Sequence, residues 1–346
     1  MRTVVVVNLA LALLILSGCA PAPTAPGAPA QAVPTPVPAA LRWATIENAS
    51  QAYIPVLLKD RGIAAKYGLE LQVIGISNTG QQWNSLRSGD SDISSGSVLD
   101  LLRQRQAGLK ARAISAFSTF GNPVVALASK PYTSLADLKG ARVGTPNETL
   151  LDWMILRAAG KKTEGFDVGQ TAQVQSAAPG LLNSLLDKGE LDAALQFSDF
   201  TLGPLTRGTY KEVTTVPRAM AAAGLDPESF YLTWNLADAW RDSHPDSVPR
   251  LVAAIDEAVQ LLETDDAVWP DLAKRSGVTD PQLLPAFVRM QRDSFRTTYT
   301  REKVQSTQAL LDAITDTVGQ SVVGVNSVDP AALDFDSSDA ARKPRS

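Results

Sequence analysis

Cysteine and histidine are nearly absent from this chain of 346 residues, which contains one of each. A single cysteine forms no intramolecular disulfide, and a single histidine excludes a metal site built from several imidazoles. His244 lies in the segment DSHPD (residues 242–246), where a capping residue, a proline and an acid are typical of a helix start. We therefore expect an exposed first-turn histidine, no metal site and no cofactor.

Clustered positive charge and enzyme motifs are also missing. The formal net charge is −4, and no run of lysines and arginines offers a surface for phosphates, so nucleic acid is not an expected partner. The sequence contains no G-x-S-x-G elbow, H-E-x-x-H zinc helix, P-loop or G-x-G-x-x-G fingerprint. These absences give an enzymatic function little support.

The N-terminus has the layout of a secretory signal. Arg2 precedes an apolar stretch that ends in Leu16-Ser17-Gly18-Cys19, and this stretch is too short to span a membrane. The last four residues resemble the lipobox of bacterial lipoproteins. The resemblance implies removal of residues 1–18 and acylation of Cys19, for example with palmitate, so that the protein is anchored extracytoplasmically in the cell membrane. Two or more acyl chains anchor a protein stably.

A proline-rich segment follows the cysteine. Residues 20–40 contain seven prolines and no charged side chain, so they cannot bury a core and are predicted to form an extended linker. At about 3.1 Å per residue, such a linker holds the rest of the chain some tens of ångströms from the bilayer.

The remainder alternates twice between strand-like and helical patterns, which predicts an α/β protein with two mainly parallel sheets. After residue 234 the pattern becomes helical, and these helices are expected to return to the first unit. The predicted division is residues 41–122 with 235–333 as lobe one and 123–234 as lobe two. Residues 334–346 are polar and are expected to be a disordered tail.

Four segments, in this order, resemble solute-binding proteins of ATP-driven importers, in the nitrate, sulfonate, taurine and thiamine-precursor branch. They are AYIP (52–55) with KYGLEL (66–71), LRSGDSDI (86–93), SLADLKG (134–140) leading to VGT (143–145), and LLDKGELDAA (185–194). The resemblance implies a two-lobed type 2 periplasmic-binding-protein fold, doubly wound, with a hinge and C-terminal helices. It also implies capture of a small organic or oxyanion-bearing solute, delivery to an ABC permease and its ATPase, and a monomer.

The ligand site is predicted in the loops at the carboxyl ends of the strands. These loops are rich in uncharged polar residues, several of them directly before helices, where they serve equally well as helix caps. Adding nearby aromatic residues, the candidates are Asn48, Ser50, Gln51, Tyr53, Ser77, Asn78, Thr79, Ser95, Ser97, Phe117, Thr145, Asn147, Gln196, Ser198 and Trp234.

The identity of the solute stays open at this stage. No lysine or arginine falls in the predicted loops, whereas Glu47, Glu148 and Asp199 lie near them and would suit an amine. Two other functions also remain open: a sensor subunit that does not transport, and an enzyme on the same fold of the menaquinone or pyrimidine biosynthesis type.

Overall fold

The computed structural model describes residues 38–295 and 298–342. The predicted signal peptide, Cys19 and almost all of the linker lie outside the described residues. The strands are β1 (Ala39–Ile46), β2 (Leu69–Ile76), β3 (Ile93–Ser97), β4 (Ala111–Ser118), β5 (Pro123–Leu127), β6 (Arg142–Thr145), β7 (Gln173–Ser176), β8 (Ala193–Leu195), β9 (Tyr210–Thr215) and β10 (Leu232–Ala237).

Helices surround these strands on both faces, as expected when parallel strands are joined by crossovers. They are α1 (Tyr53–Asp60), α2 (Ile63–Lys66), α3 (Thr79–Ser88), α4 (Val98–Gln106), α5 (Leu151–Glu164), α6 (Val168–Thr171), α7 (Pro179–Asp187), α8 (Ser198–Thr206), α9 (Val216–Ala222), α10 (Asp238–Ser243), α11 (Val248–Thr264), α12 (Trp269–Arg275), α13 (Leu284–Phe295), α14 (Lys303–Val318), α15 (Gln320–Val323) and α16 (Phe335–Arg342).

The described strands form two five-stranded sheets of matching design. The first has the order β2-β1-β3-β10-β4 and the second the order β7-β6-β8-β5-β9. In each sheet the first three strands are parallel, and the fourth runs antiparallel to both of its neighbours. Four strands of each sheet therefore share one direction, and the predicted mainly parallel α/β fold is confirmed.

The same ion pair is built into both sheets. Asp92, just before β3, accepts hydrogen bonds from the backbone N–H of Arg42 at 2.8 Å and from its Nη2 at 2.6 Å. One hundred positions later, Asp192 accepts the same two bonds from Arg142 at 3.0 and 2.7 Å. Gly89 and Gly189 adopt φ values of 77° and 69° three residues before each aspartate, where the chain turns from a helix into a buried strand.

Aromatic side chains fill the core beside the first sheet. Trp234 on β10 lies with its ring centroid 4.8 Å from Trp43 and 4.6 Å from Phe117. The Tyr53 ring is fully buried, and its hydroxyl is 2.5 Å from the Ser276 hydroxyl. Rings of this size contribute much of the buried apolar area that stabilises a core.

The structure differs from the predicted division at several boundaries. β1 begins at Ala39 and pairs with β2, so the chain is already ordered before the expected end of the linker at residue 40. Residues 232–234 belong to β10 of the first sheet, although the division placed them in lobe two. Helix α14 was expected to cover lobe one, but it packs on α5, which follows a strand of the second sheet.

The expectation of a disordered tail from residue 334 is wrong for residues 334–342, which include α16. Phe335 is buried and packs with its ring centroid 4.8 Å from Tyr299. The Asp334 carboxylate accepts a hydrogen bond from Arg241 at 3.0 Å, and Arg342 pairs with Asp256 on α11. Arg301 also pairs with Asp336 at 2.6 Å. One apolar anchor and several ion pairs thus hold a segment whose composition is otherwise polar.

Candidate functional site

A cleft of about 1170 Å³ opens where the carboxyl ends of strands from both sheets meet. Its wall includes residues that follow β1, β3, β4, β6 and β8, together with residues from α3, α4, α8 and α13. Ligand pockets commonly occupy this edge of α/β sheets. Pockets for drug-sized ligands measure about 300–1,000 Å³, so the open cleft is larger than a small solute requires.

Most of the predicted ligand residues lie in this cleft. The residues brought together there are Asn48, Ser50, Gln51, Thr79, Ser95, Ser97, Phe117, Asn147 and Ser198. One of them, Ser97, also caps a helix: its Oγ accepts a hydrogen bond from Asp100 N in the first turn of α4 at 3.0 Å. Asn147 Oδ1 accepts a hydrogen bond from Thr149 N at 2.9 Å, before α5 begins at Leu151.

Six predicted residues do not line the cleft. Tyr53 and Trp234 belong to the aromatic core, where they are 0% and 1% exposed. Thr145 is buried, and Gln196 is buried with its Nε2 donating to Pro179 O at 2.7 Å. Ser77 and Asn78 are exposed at the start of α3, and Asn78 Oδ1 caps that helix by accepting from Gln81 N at 3.0 Å.

Three polar residues form a hydrogen-bonded network on the side of the cleft next to the first sheet. Two of them, Gln51 and Ser95, were among the predicted ligand residues. Gln82 Nε2 donates to Ser95 Oγ at 2.8 Å and also to Gln51 Oε1, and the Ser95 hydroxyl donates to the same Gln51 oxygen. Gln82 and Ser95 are 1% and 2% exposed. Gln82 was missed because it lies on α3 rather than in a loop after a strand.

The aromatic wall of the cleft is formed largely by residues outside the candidate set. Phe120 stacks on Tyr231 with ring centroids 4.4 Å apart, and both line the cleft. Phe197 and Phe200 line the second-sheet side, and the Phe200 residue is 44% exposed. An exposed phenylalanine in a cleft offers apolar surface that a bound solute can bury.

Charged side chains reach the cleft from helices. Arg103 on α4 is already engaged: it donates to the Val323 carbonyl at 2.8 Å and pairs with Asp100 at 3.2 Å. Arg289 on α13 is exposed along the cleft wall. The absence of basic residues from the predicted loops therefore does not extend to the whole cleft, because arginines on α4 and α13 also face it.

Asp199 is the one of the three candidate acids that lines the cleft; Glu47 and Glu148 do not. It lies in the first turn of α8, and its Oδ1 accepts a hydrogen bond from Gln291 Nε2 on α13 at 3.1 Å. Surrounding protein raises the pKa of this carboxyl through lost solvation, while the Gln291 hydrogen bond opposes the rise. Its side chain still meets solvent through the open cleft.

A second carboxyl is fully buried beside the segments that connect the two sheets. Asp152 Oδ1 accepts from Asn122 Nδ2 at 3.0 Å, and its Oδ2 accepts from the Tyr231 hydroxyl at 2.9 Å. Asn122 directly precedes β5 and Tyr231 directly precedes β10, so one carboxyl contacts both connections. Burial raises the pKa of Asp152, and the two hydrogen bonds oppose that rise.

His244 lies outside the cleft. Its half-buried ring stacks on Trp240 with centroids 4.7 Å apart, and the residue lies between the end of α10 and a 3-10 turn that begins at Pro245. The expectation of an exposed histidine in the first turn of a helix is therefore wrong. Within residues 38–295 and 298–342, no group of three or more His, Cys, Asp or Glu side chains is placed to hold a metal ion. No helix of this same part of the chain is both long and apolar enough to cross a bilayer.

Two five-stranded sheets of matching design, which share one cleft at the carboxyl ends of their parallel strands, define the class of the periplasmic binding proteins. The family model described as NMT1/THI5-like matches residues 56–265, and the chain belongs to this family. The family and fold predicted from the sequence are thereby confirmed. No curated relative matches the sequence significantly.

Solved structures show the same fold at low sequence identity. The alkanesulfonate-binding protein SsuA from Xanthomonas axonopodis pv. citri, bound to MOPS, is 15% identical with a TM-score of 0.67, over 86% of this chain and 98% of that chain. SsuA from Escherichia coli is 14% identical with a TM-score of 0.68, over 84% and 90%. The nitrate-binding protein NrtA from Synechocystis PCC 6803 is 14% identical with a TM-score of 0.62, over 88% of each chain.

Proposed function

We propose that this protein is the extracytoplasmic solute-binding component of an ABC importer. It captures one small organic or oxyanion-bearing solute between two lobes and delivers it to the permease without performing chemistry. The single observation that carries this proposal is the shared cleft, which both sheets line mainly with amides, hydroxyls and aromatic rings. Membership in the NMT1/THI5-like family and the fold shared with sulfonate- and nitrate-binding proteins support it.

Binding is proposed to close the cleft. A solute that contacts both sides only in the closed form has a higher affinity for that form, and this difference shifts the population of the two states. The connections before β5 and β10, which Asp152 contacts through Asn122 and Tyr231, are two of the segments that join the two sides. They are the proposed hinge.

The proposed anchor is an acylated Cys19. Its place directly after Leu16-Ser17-Gly18, and the uncharged proline-rich segment that follows, are the sequence features that support it. The anchored protein is proposed to act as a monomer at the outer face of the cell membrane, where it meets the permease and its ATPase.

A thermal-shift screen of the soluble protein, residues 20–346, tests the function. The compounds are alkanesulfonates including MOPS, nitrate, taurine and an aminopyrimidine. A compound at 100 times its dissociation constant stabilises the folded state by about 2.7 kcal/mol, which a melting experiment detects. Small-angle scattering with each hit should then show a smaller radius of gyration.

Matched substitutions locate the binding. Asn48→Ala, in the cleft, should weaken binding of a hit by about 2- to 10-fold through loss of a hydrogen bond. Asn84→Ala, on the exposed face of α3 and outside the cleft wall, should leave it unchanged. An unchanged radius of gyration at saturation would rule out closure, and equal affinities of the two variants would place the solute elsewhere.

A further inference from the structure

The network of Gln51, Gln82 and Ser95 at the cleft floor fixes which end of an amide faces the solute. Gln82 Nε2 uses both of its N–H groups, one on Gln51 Oε1 and one on Ser95 Oγ. The Ser95 hydroxyl donates to Gln51 Oε1 as well. Both lone pairs of the Gln51 carbonyl oxygen therefore accept hydrogen bonds from the buried side chains of Gln82 and Ser95.

The nitrogen is therefore the end of the Gln51 amide that is left for a solute. Gln51 is half-buried and lines the cleft, and its Nε2 has no hydrogen bond to any of the described residues. A primary amide nitrogen has two N–H donors and no acceptor. Thr79, the first residue of α3, lines the same cleft, and the start of this helix adds a partial positive charge.

We infer that Gln82 is a positioning residue: by occupying the Gln51 carbonyl it makes Gln51 present a hydrogen-bond donor to the cleft. This side of the site then selects a solute group that only accepts hydrogen bonds, such as a sulfonate or carboxylate oxygen, and discriminates against an ammonium group. The inference rests on the proposed function and specifies how its site recognises one end of the solute.

The Gln51 amide can reverse its direction only if the Gln82 amide reverses as well. If Gln51 alone turned over, its NH₂ would face the NH₂ of Gln82, and two donors would oppose each other without an acceptor between them. Both glutamines must therefore turn together, after which Gln51 would present its carbonyl and select a donor. A substitution at Gln82 that permits one direction only should set the specificity.

The experiment compares two probes of similar size and opposite hydrogen-bonding character, 1-butanesulfonate and butylammonium. Wild-type protein should bind butanesulfonate more tightly. Gln82→Glu supplies acceptors only, so Gln51 must turn its NH₂ away from the cleft, and the butanesulfonate dissociation constant should rise by about tenfold or more. The matched control is Gln81→Glu, which adds the same charge on the exposed face of α3 and retains the oxygen that accepts from Ser77 N at 2.7 Å.

If Gln82→Glu does not fold, a second variant and a spectroscopic measurement test the same inference. Gln82→Met keeps the side-chain length and removes the side-chain hydrogen bonds to Gln51 and Ser95, so discrimination between the two probes should shrink while the protein stays folded. In wild-type protein labelled with ¹⁵N, butanesulfonate should shift the side-chain amide signals of Gln51, and butylammonium should not.

Three results would overturn the inference: tighter binding of butylammonium by the wild type, equal butanesulfonate affinity of Gln82→Glu and Gln81→Glu, or no response of the Gln51 amide at the highest soluble butanesulfonate concentration. If any of these occurs while a compound from the screen still compacts the protein, the donor assignment fails and the solute-binding function stands. If no compound compacts the protein, the proposed function fails independently of the state of Gln51.

Discussion

Replacing Gly96 by alanine should lower the free energy of unfolding strongly, because the added methyl group has no room. Gly96 lies on β3 at the cleft, and a Cβ atom there would lie 2.2 Å from Cζ2 and 2.7 Å from Cη2 of Trp83. Contacts below 3.0 Å are not tolerated, so the indole must move. Trp83 is 5% exposed and is held by the packed core, which leaves its rigid ring little room.

The cost of Gly96→Ala follows from this geometry. Overpacking a core typically costs about 1–3 kcal/mol, and a displaced indole places this substitution near the upper value. With a urea m-value of about 3 kcal/mol/M, a loss of about 3 kcal/mol moves the unfolding midpoint down by roughly 1 M. Equilibrium urea unfolding followed by circular dichroism measures that shift.

Gly180→Ala is the matched control for this experiment. Gly180 lies in α7, its backbone φ is not positive, and a Cβ there would meet no atom within 4 Å. Alanine in a helix is favoured over glycine, so the control should be unchanged or up to about 1 kcal/mol more stable. Equal midpoints for the two alanine variants would refute the claim that the Trp83 ring blocks position 96.

Three further outcomes are expected. Cys19→Ala should release the protein from membranes in a fractionation experiment without changing solute affinity; an altered affinity would mean that the anchor is more than a tether. Trp234→Leu should lower the free energy of unfolding in urea by about 2–4 kcal/mol and leave solute affinity unchanged. Phe200→Ala should lower solute affinity with little effect on stability. The reverse pattern would mean that Trp234 contacts the solute after all. Because burial raises the folded-state pKa of Asp152 above its ordinary 3.8, the native state binds this proton more tightly, and stability should fall as pH rises from that value through the folded-state pKa. Asp152→Asn should lack this component, so identical pH–stability slopes for the variant and the wild type would contradict it.

The sequence motifs predicted the scaffold well because they carry local backbone requirements. The Gly89 and Gly189 turns follow from a helix stop before a buried strand, a pattern visible within ten residues. The partners of Asp92 and Asp192 were not visible, because each arginine lies 50 residues earlier in the chain. Local pattern indicates a turn, but only the register of the sheet shows which charge it meets.

The cleft was predicted in part for a similar reason. Strand ends locate the edge of the sheet, and this is enough to bring Gln51, Ser95 and Ser198 together. It does not show which side chains of helices face that edge, so Gln82 and Gln291 were missed. The aromatic predictions Tyr53 and Trp234 failed because proximity to a loop in sequence does not distinguish the cleft from the core beneath it.

The tail shows the limit of composition as a guide. Residues 334–342 are mostly polar, yet one buried phenylalanine and several arginine–aspartate pairs hold them against α10, α11 and Tyr299. Average hydropathy over a short segment hides a single well-placed anchor.

The repeated ion pair gives both walls of the cleft the same support. Arg42 with Asp92 and Arg142 with Asp192 occupy equivalent places in two sheets of matching design, one hundred residues apart. Each arginine lies on the strand beside the one that its aspartate precedes, so the pair fixes how far these two strands are shifted along each other. The residues that follow the same strands border the cleft, and their positions relative to each other are therefore set at the opposite end of the sheet.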